Sequence, residues 1–109
     1  MTIRDCIAPD RNPKVPSIQL PIGSIDTHVH IFESQYPLFE GRGYNPPDST
    51  LDDLKHLHSQ LGVSRVVYTQ PSPYGVDNAA ILKGMKVMND EIPGRARGVC
   101  AIKMDVSDN

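Results

Sequence analysis

Three short apolar runs alternate along the chain with two longer segments that have helical periodicity. The runs lie at residues 25–32, 63–69 and 98–102, and the first two are dense in β-branched residues, as strands are. This strand–helix order is typical of a parallel sheet with right-handed crossovers, and runs that are apolar on both sides predict a sheet covered by helices. The residues at helical spacing are Leu51, Leu54, Leu57, His58 and Leu61, and then Ile81, Met85, Met88 and Ile92.

Both predicted helices have recognisable start and stop residues. Thr50 with Asp53 three positions later resembles a capping box, and Gly62 is placed to end the first helix. Asp77 is predicted to cap the second helix, which Pro93-Gly94 ends.

Residues 1–23 contain four prolines and no periodicity, so we predict an extended lead-in there. The α/β unit is expected to occupy residues 24–109.

Composition narrows the function classes. The chain has 109 residues, 39% of them hydrophobic and 22% charged, which is typical of a globular protein. A net charge of −2 gives no electrostatic case for nucleic acid or an anionic membrane as a partner. Cys6 and Cys100 lack metal-type spacing and are expected to be free thiols. Without a membrane-length apolar run or a signal-like start, the chain is predicted to be cytoplasmic.

His28 and His30 are the residues most suggestive of chemistry. They stand two apart at the end of the first predicted strand, so both should project from one face, with Cα atoms about 6.6 Å apart. Two such imidazoles can bind one metal ion or donate hydrogen bonds to one developing oxyanion, and the residues alone leave both uses open. The alternative is a chance pair of strand histidines. Asp26 is expected to face away from the pair, in a structural role.

The other two histidines are predicted to be structural. His56 and His58 lie on a predicted helix, where residues two apart point in different directions. We expect His58 to be partly packed and His56 to be solvated.

The segment Ile-Asp-Thr-His-Val-His-Ile-Phe at residues 25–32 resembles the first-strand signature of barrels in the amidohydrolase superfamily of metal-dependent hydrolases. The branch it resembles includes lactonases that act on 2-pyrone-4,6-dicarboxylate and on sugar-acid lactones. The resemblance implies an α/β fold that is a partial (β/α)₈ TIM barrel, with its first three strands and two helices. The further segments that carry the resemblance are residues 21–25, 43–48, 67–72, 74–78 and 95–99.

The resemblance also implies roles for individual residues. His28 and His30 match the catalytic histidines that polarise the lactone carbonyl, and Tyr44 and Ser72 match residues that contact the carboxylated lactone substrate. Their hydroxyls are neutral donors suited to carboxylate oxygens, although a loop-packing tyrosine and a turn serine are the plainer interpretations. The implied chemistry needs no metal or other cofactor; if a metal such as zinc is present, His28 and His30 are its expected ligands.

A barrel of this kind takes about 250 residues and eight strands, whereas three strand signals precede Asn109. The superfamily places a further histidine and the aspartate that activates water on later strands. The resemblance therefore implies the N-terminal portion of a hydrolase, catalytically incomplete alone, with a complementary C-terminal chain as a candidate partner. The alternatives are a piece of a zinc-dependent decarboxylase or hydratase relative, and a non-catalytic remnant.

Overall fold

The computed structural model of the chain describes residues 2–105 and contains two parallel sheets, two helices and a 3₁₀ turn. In chain order the elements are β1 (Arg4–Asp5), β2 (Ile25–Val29), β3 (Tyr44–Asn45), α1 (Leu51–Leu61), β4 (Arg65–Thr69), the 3₁₀ helix (Ser72–Tyr74), α2 (Ala79–Glu91) and β5 (Ala96–Val99). The main sheet has three parallel strands in the order β2-β4-β5, and the smaller sheet pairs β1 with β3, also in parallel.

The predicted parallel α/β arrangement is confirmed, but the main sheet of the described residues is open and is not closed into a barrel. The third strand also lies earlier than expected, at Ala96–Val99 instead of residues 98–102. Its pairing explains the shift: Ala96 lies opposite Val66, and the ladder stops where Val99 meets the end of β4.

The hydrophobic core lies between the main sheet and the two helices, on one face of the sheet only. The other face is open, and Val99 on that face is 56% exposed, so the expected cover of helices is present on one side alone. Gly84 lets α2 approach closely, since a Cβ there would stand 3.2 Å from the ring of Tyr68. The core residues are Val29, Ile31, Leu54, Val66, Tyr68, Ile81, Met88 and Ala96.

The predicted ends of α1 are confirmed. The Thr50 hydroxyl accepts a hydrogen bond from the Asp53 backbone N–H at 3.2 Å, and the Thr50 N–H donates to Asp53 Oδ2 at 3.0 Å. Gly62 ends the helix in the left-handed conformation, with φ at 77°. The reciprocal bonds lower the pKa of Asp53, chiefly through the Thr50 N–H.

We expect Thr50→Ala to lower the free energy of unfolding by about 1 kcal/mol, because an N-cap hydroxyl satisfies an otherwise unpaired helix donor. Urea denaturation at pH 7 measures the change, since the lowered pKa of Asp53 keeps its carboxylate ionised there. Asp52→Asn, in the same first turn but outside the capping box, should cost only a few tenths of a kcal/mol. Equal losses in the two variants would contradict the assignment.

The start of α2 differs in detail from the prediction. Asp77 does accept the backbone N–H of Ala79 at 3.1 Å, but the N-cap position belongs to Asn78. The Asn78 side chain makes no capping bond; it accepts the N–H of Ala101 at 3.0 Å and donates to its carbonyl at 2.9 Å. Asn78 therefore fastens the chain beyond β5 to the start of α2.

The lead-in is more structured than its composition predicts, because it contains β1, which pairs with β3 further along the chain. Both cysteines are free thiols, as expected, and the structure places both at the surface. Within residues 2–105, no helix is long and apolar enough to cross a membrane.

Candidate functional site

The strand that carries His28 and His30 pairs irregularly with β4. Asp26 lies opposite Val66 and Val29 opposite Tyr68, so β2 advances three residues while β4 advances two. This β-bulge reverses the alternation of side chains between Asp26 and His28. Regular alternation would place Asp26 on the same face as His28.

Asp26 turns towards the helices, as expected, and contacts α1. Its Oδ2 lies 3.0 Å from Nε2 of His58, whose side chain is 1% exposed. His58 is therefore fully buried and not partly packed as predicted, because a carboxylate partner satisfies its ring in the interior. His56 is exposed, as predicted.

His28 and His30 lie together on the open face of the sheet. Val29 and Ile31 alternate with them and point into the core, so the two imidazoles project to the opposite side. The ring centroids are 5.0 Å apart and the ring planes nearly perpendicular. His28 is exposed and His30 is half-buried, so a small molecule can reach both.

A hydrogen bond across the sheet fixes the tautomer of His30. Its Nδ1 lies 2.8 Å from the carbonyl oxygen of Thr69, at the end of β4. A carbonyl oxygen only accepts, so Nδ1 must carry the proton and neutral His30 presents a lone pair at Nε2. Within residues 2–105 the His28 ring makes no comparable hydrogen bond, so it can present either an N–H or a lone pair.

An aromatic row leads from the histidines to Tyr44. The His30 and Phe32 rings are 6.3 Å apart, and the Phe32 and Tyr44 rings 6.5 Å. Burial, followed by the nearby Cys6 thiol, raises the pKa of Tyr44, while a hydrogen bond with the Ser72 side chain opposes the shift. Tyr44 is therefore a neutral hydroxyl at physiological pH, and Ser72 lies beside it.

The structure thus gathers the four residues singled out in the sequence, while their roles stay predictions. Phe32 was missed, although it continues the alternation of His28 and His30. Gln70 orders the loop after β4, because its amide donates to the carbonyls of Gly75 and Asp77.

A cavity of about 350 Å³ opens beside His30 and Tyr44. One wall is the N-terminal segment, held at one end by the β1–β3 pairing and at the other by Arg11, whose guanidinium donates to the Asp48 carbonyl at 2.7 Å. No sequence signal pointed to this wall, because a proline-rich segment carries no periodicity to interpret. The lining residues are Cys6, Ile7, Pro9, His30, Phe32, Tyr44, Pro46, Pro47 and Ser49.

Among residues 2–105, no three His, Cys, Asp or Glu side chains are grouped so that they could hold a metal ion. The nearby carboxylates are engaged elsewhere: Asp26 with His58, Asp53 in its capping box, and Asp10 with the N–H of Asn12. In the described part of the chain, neither imidazole of the His pair therefore has a carboxylate hydrogen-bond partner.

We expect this chain to hold no tightly bound zinc, because two imidazoles leave a four-coordinate site half filled. Elemental analysis of protein purified without chelator measures the content. Stoichiometric zinc that disappears in His28→Ala, and persists in the matched surface variant His56→Ala, would overturn the expectation and favour the zinc-dependent alternative.

The sequence profile of the family described as amidohydrolase matches residues 25–108. This chain belongs to the amidohydrolase family. The match begins with β2 and so includes the His pair, Tyr44 and Ser72, as well as both helices.

Individual family members agree with this assignment. A 2-pyrone-4,6-dicarboxylate hydrolase of Comamonas testosteroni is 35% identical over 99 residues, covering 89% of this chain and 31% of that protein. A 4-sulfomuconolactone hydrolase of Rhizobium radiobacter is 35% identical over 86 residues, covering 77% of this chain and 29% of that protein. The apo crystal structure of an Agrobacterium tumefaciens protein superposes with a TM-score of 0.73 at 28% identity, over 85% of this chain and 33% of that one. The chain spans about a third of the length of the curated relatives it matches.

Proposed function

We propose that this amidohydrolase chain supplies the carbonyl-binding part of a site that hydrolyses a lactone carrying acidic groups. The observation that carries the proposal is the grouping of His28, His30, Tyr44 and Ser72 at one end of the sheet, where His30 and Tyr44 line one cavity, His28 lies beside His30 and Ser72 beside Tyr44. The names of the two relatives agree, since one hydrolyses a dicarboxylate and the other a sulfonated lactone.

The proposal includes the fold: the chain forms one segment of a (β/α)₈ barrel. The main sheet has the parallel order and one-sided helical cover of a barrel segment, and its outer strands β2 and β5 each present an edge that a further parallel strand could pair with. The His pair stands at the carboxyl end of β2, where active sites of such barrels lie.

In the proposed reaction, a water oxygen attacks the lactone carbonyl carbon while the water gives a proton to a base supplied outside the described residues. The carbonyl then re-forms as the bond from that carbon to the ring oxygen breaks, and the ring oxygen takes up a proton to become a hydroxyl. The carbonyl oxygen becomes negative in the intermediate, and an N–H of His28 stabilises it by donating a hydrogen bond. His30 differs from His28, because its Nδ1–H is held by Thr69. Neutral His30 can only accept at Nε2, so it becomes a second donor to the oxyanion after it gains a proton.

Tyr44 and Ser72 are proposed to bind an acidic substituent of the substrate. Their hydroxyls are adjacent, neutral and able to donate, so they satisfy carboxylate oxygens without adding charge. The remaining walls of the cavity are largely apolar and aromatic, which suits the ring of a lactone.

Binding of 2-pyrone-4,6-dicarboxylate tests the proposal directly. Added ligand should shift the side-chain NMR signals of both His28 and His30. Tyr44→Phe and Ser72→Ala should each weaken binding by about 3- to 10-fold, as the loss of one hydrogen bond does. Tyr36→Phe is the matched control, because Tyr36 packs on Tyr74 away from the cavity. Unshifted His signals, or an equal loss in Tyr36→Phe, would contradict the proposal.

A further inference from the structure

The Asp26 carboxylate stands between a buried helix residue and the backbone of the His pair. Its Oδ2 lies 3.0 Å from His58 Nε2, and its Oδ1 accepts the backbone N–H of His28 at 3.3 Å. The His58 side chain is 1% exposed and the Asp26 side chain 31%. One carboxylate therefore links the interior of α1 to the residue that carries the first imidazole.

Asp26 is the acceptor in both of these hydrogen bonds. A carboxylate oxygen only accepts, so His58 Nε2 carries the proton and donates to Asp26. The bulge takes residues 27 and 28 out of regular pairing with β4, and Asp26 Oδ1 accepts the N–H of His28 within that bulge. Because His58 is enclosed in the core, it has little freedom to move and holds the carboxylate in place.

We propose that Asp26 and His58 are positioning residues for the His pair. They fix the bulged backbone at His28 and so the direction in which its imidazole points. Their importance for catalysis rests on the proposed function, whereas their effect on the geometry of the pair does not. The pair thus depends on α1 as well as on its own strand.

The copper(II) chelate of nitrilotriacetate is a probe of that geometry, because it has open positions that two imidazoles can fill together and copper favours imidazole ligands. Binding through both rings requires the rings to be correctly spaced, and titration followed by electron paramagnetic resonance reports the affinity. We expect His28→Ala to weaken binding by at least about 10-fold, which identifies the two-imidazole mode.

Asp26→Ala and His58→Leu should weaken chelate binding by about 3- to 10-fold, although neither residue is a ligand in the wild-type chain. His58→Gln should retain most of the affinity, because its amide can still donate to Asp26. Leu51→Ala is the matched control: it removes packing against the core on the same helix, at a residue that does not line the cavity beside Asp26, His28 and His30, so affinity should stay unchanged.

Wild-type affinity in folded Asp26→Ala and His58→Leu, checked by circular dichroism, would overturn the proposal. An equal loss of affinity in Leu51→Ala would overturn it as well. If those two variants do not fold, Asp26→Asn keeps the side-chain shape but weakens the acceptor, and the His28 amide should then exchange its hydrogen faster than in the wild type. Unchanged exchange there would also refute the proposal. If the chelate affinities change as expected but the chain does not bind 2-pyrone-4,6-dicarboxylate, the proposed function is refuted and the positioning role of Asp26 and His58 is not.

Discussion

The 109-residue chain alone should hydrolyse 2-pyrone-4,6-dicarboxylate about 10²- to 10⁴-fold more slowly than the same chain mixed with a polypeptide covering the remaining two thirds of a relative. That range is what a general base contributes. In the described part of the chain no carboxylate is hydrogen-bonded to either imidazole of the His pair, since Asp26 bonds to the His58 ring and Asp53 to Thr50. The added polypeptide is expected to supply the acidic residue that deprotonates water.

The assay follows loss of the lactone by absorbance, with each component alone as a blank. His28→Ala and His30→Ala should remove the gain seen on mixing, while the matched variant His56→Ala should keep it, since His56 is exposed on α1. Turnover by the unmixed chain at a normal enzyme rate, roughly 1–10³ s⁻¹, would show that a base within this chain suffices. No activity in either sample would favour the non-catalytic alternative.

Ile81→Ala should lower the free energy of unfolding by about 2–5 kcal/mol, one of the largest effects available to a single substitution in this chain. Ile81 is fully buried in the core beneath the main sheet, so truncating it leaves a cavity that α2 and β4 cannot fill. Urea denaturation followed by circular dichroism measures the loss.

The neighbouring Leu82→Ala makes the matched control. Leu82 belongs to the same helix but is 54% exposed, and its truncation should cost much less than that of Ile81. Similar losses at the two positions would mean that α2 does not present the face seen in the structure.

The sequence predicted most accurately those features that depend on neighbouring residues. The ends of α1 follow from Thr50, Asp53 and Gly62, because a capping box and a left-handed glycine are local arrangements. The shared face of His28 and His30 follows from strand alternation, which is also local.

Features that depend on distant partners escaped prediction. The third strand begins at Ala96 because its ladder with β4 begins there, and no property of residues 96–99 alone reveals that partner. The pairing of β1 with β3 joins residues about 40 positions apart, and the burial of His58 depends on Asp26, 32 positions earlier. The bulge is likewise a property of two paired strands. The prediction that Asp26 faces away from the His pair is therefore correct, but the sequence alone does not reveal the bulge that causes it.

The bulge in β2 also means that the number of residues, and not only their identity, determines the site. It corresponds to a single inserted residue, since residues 27 and 28 occupy the space of one residue on β4. Deleting Thr27 would restore regular alternation and leave both imidazoles on the open face. Asp26 would then directly precede His28. Its carboxylate, which in the present structure accepts the N–H of the residue two positions later, could no longer bond to the N–H of His28. In evolutionary terms, a one-residue insertion in an ordinary strand would be enough to connect a helix to the residues that face the ligand.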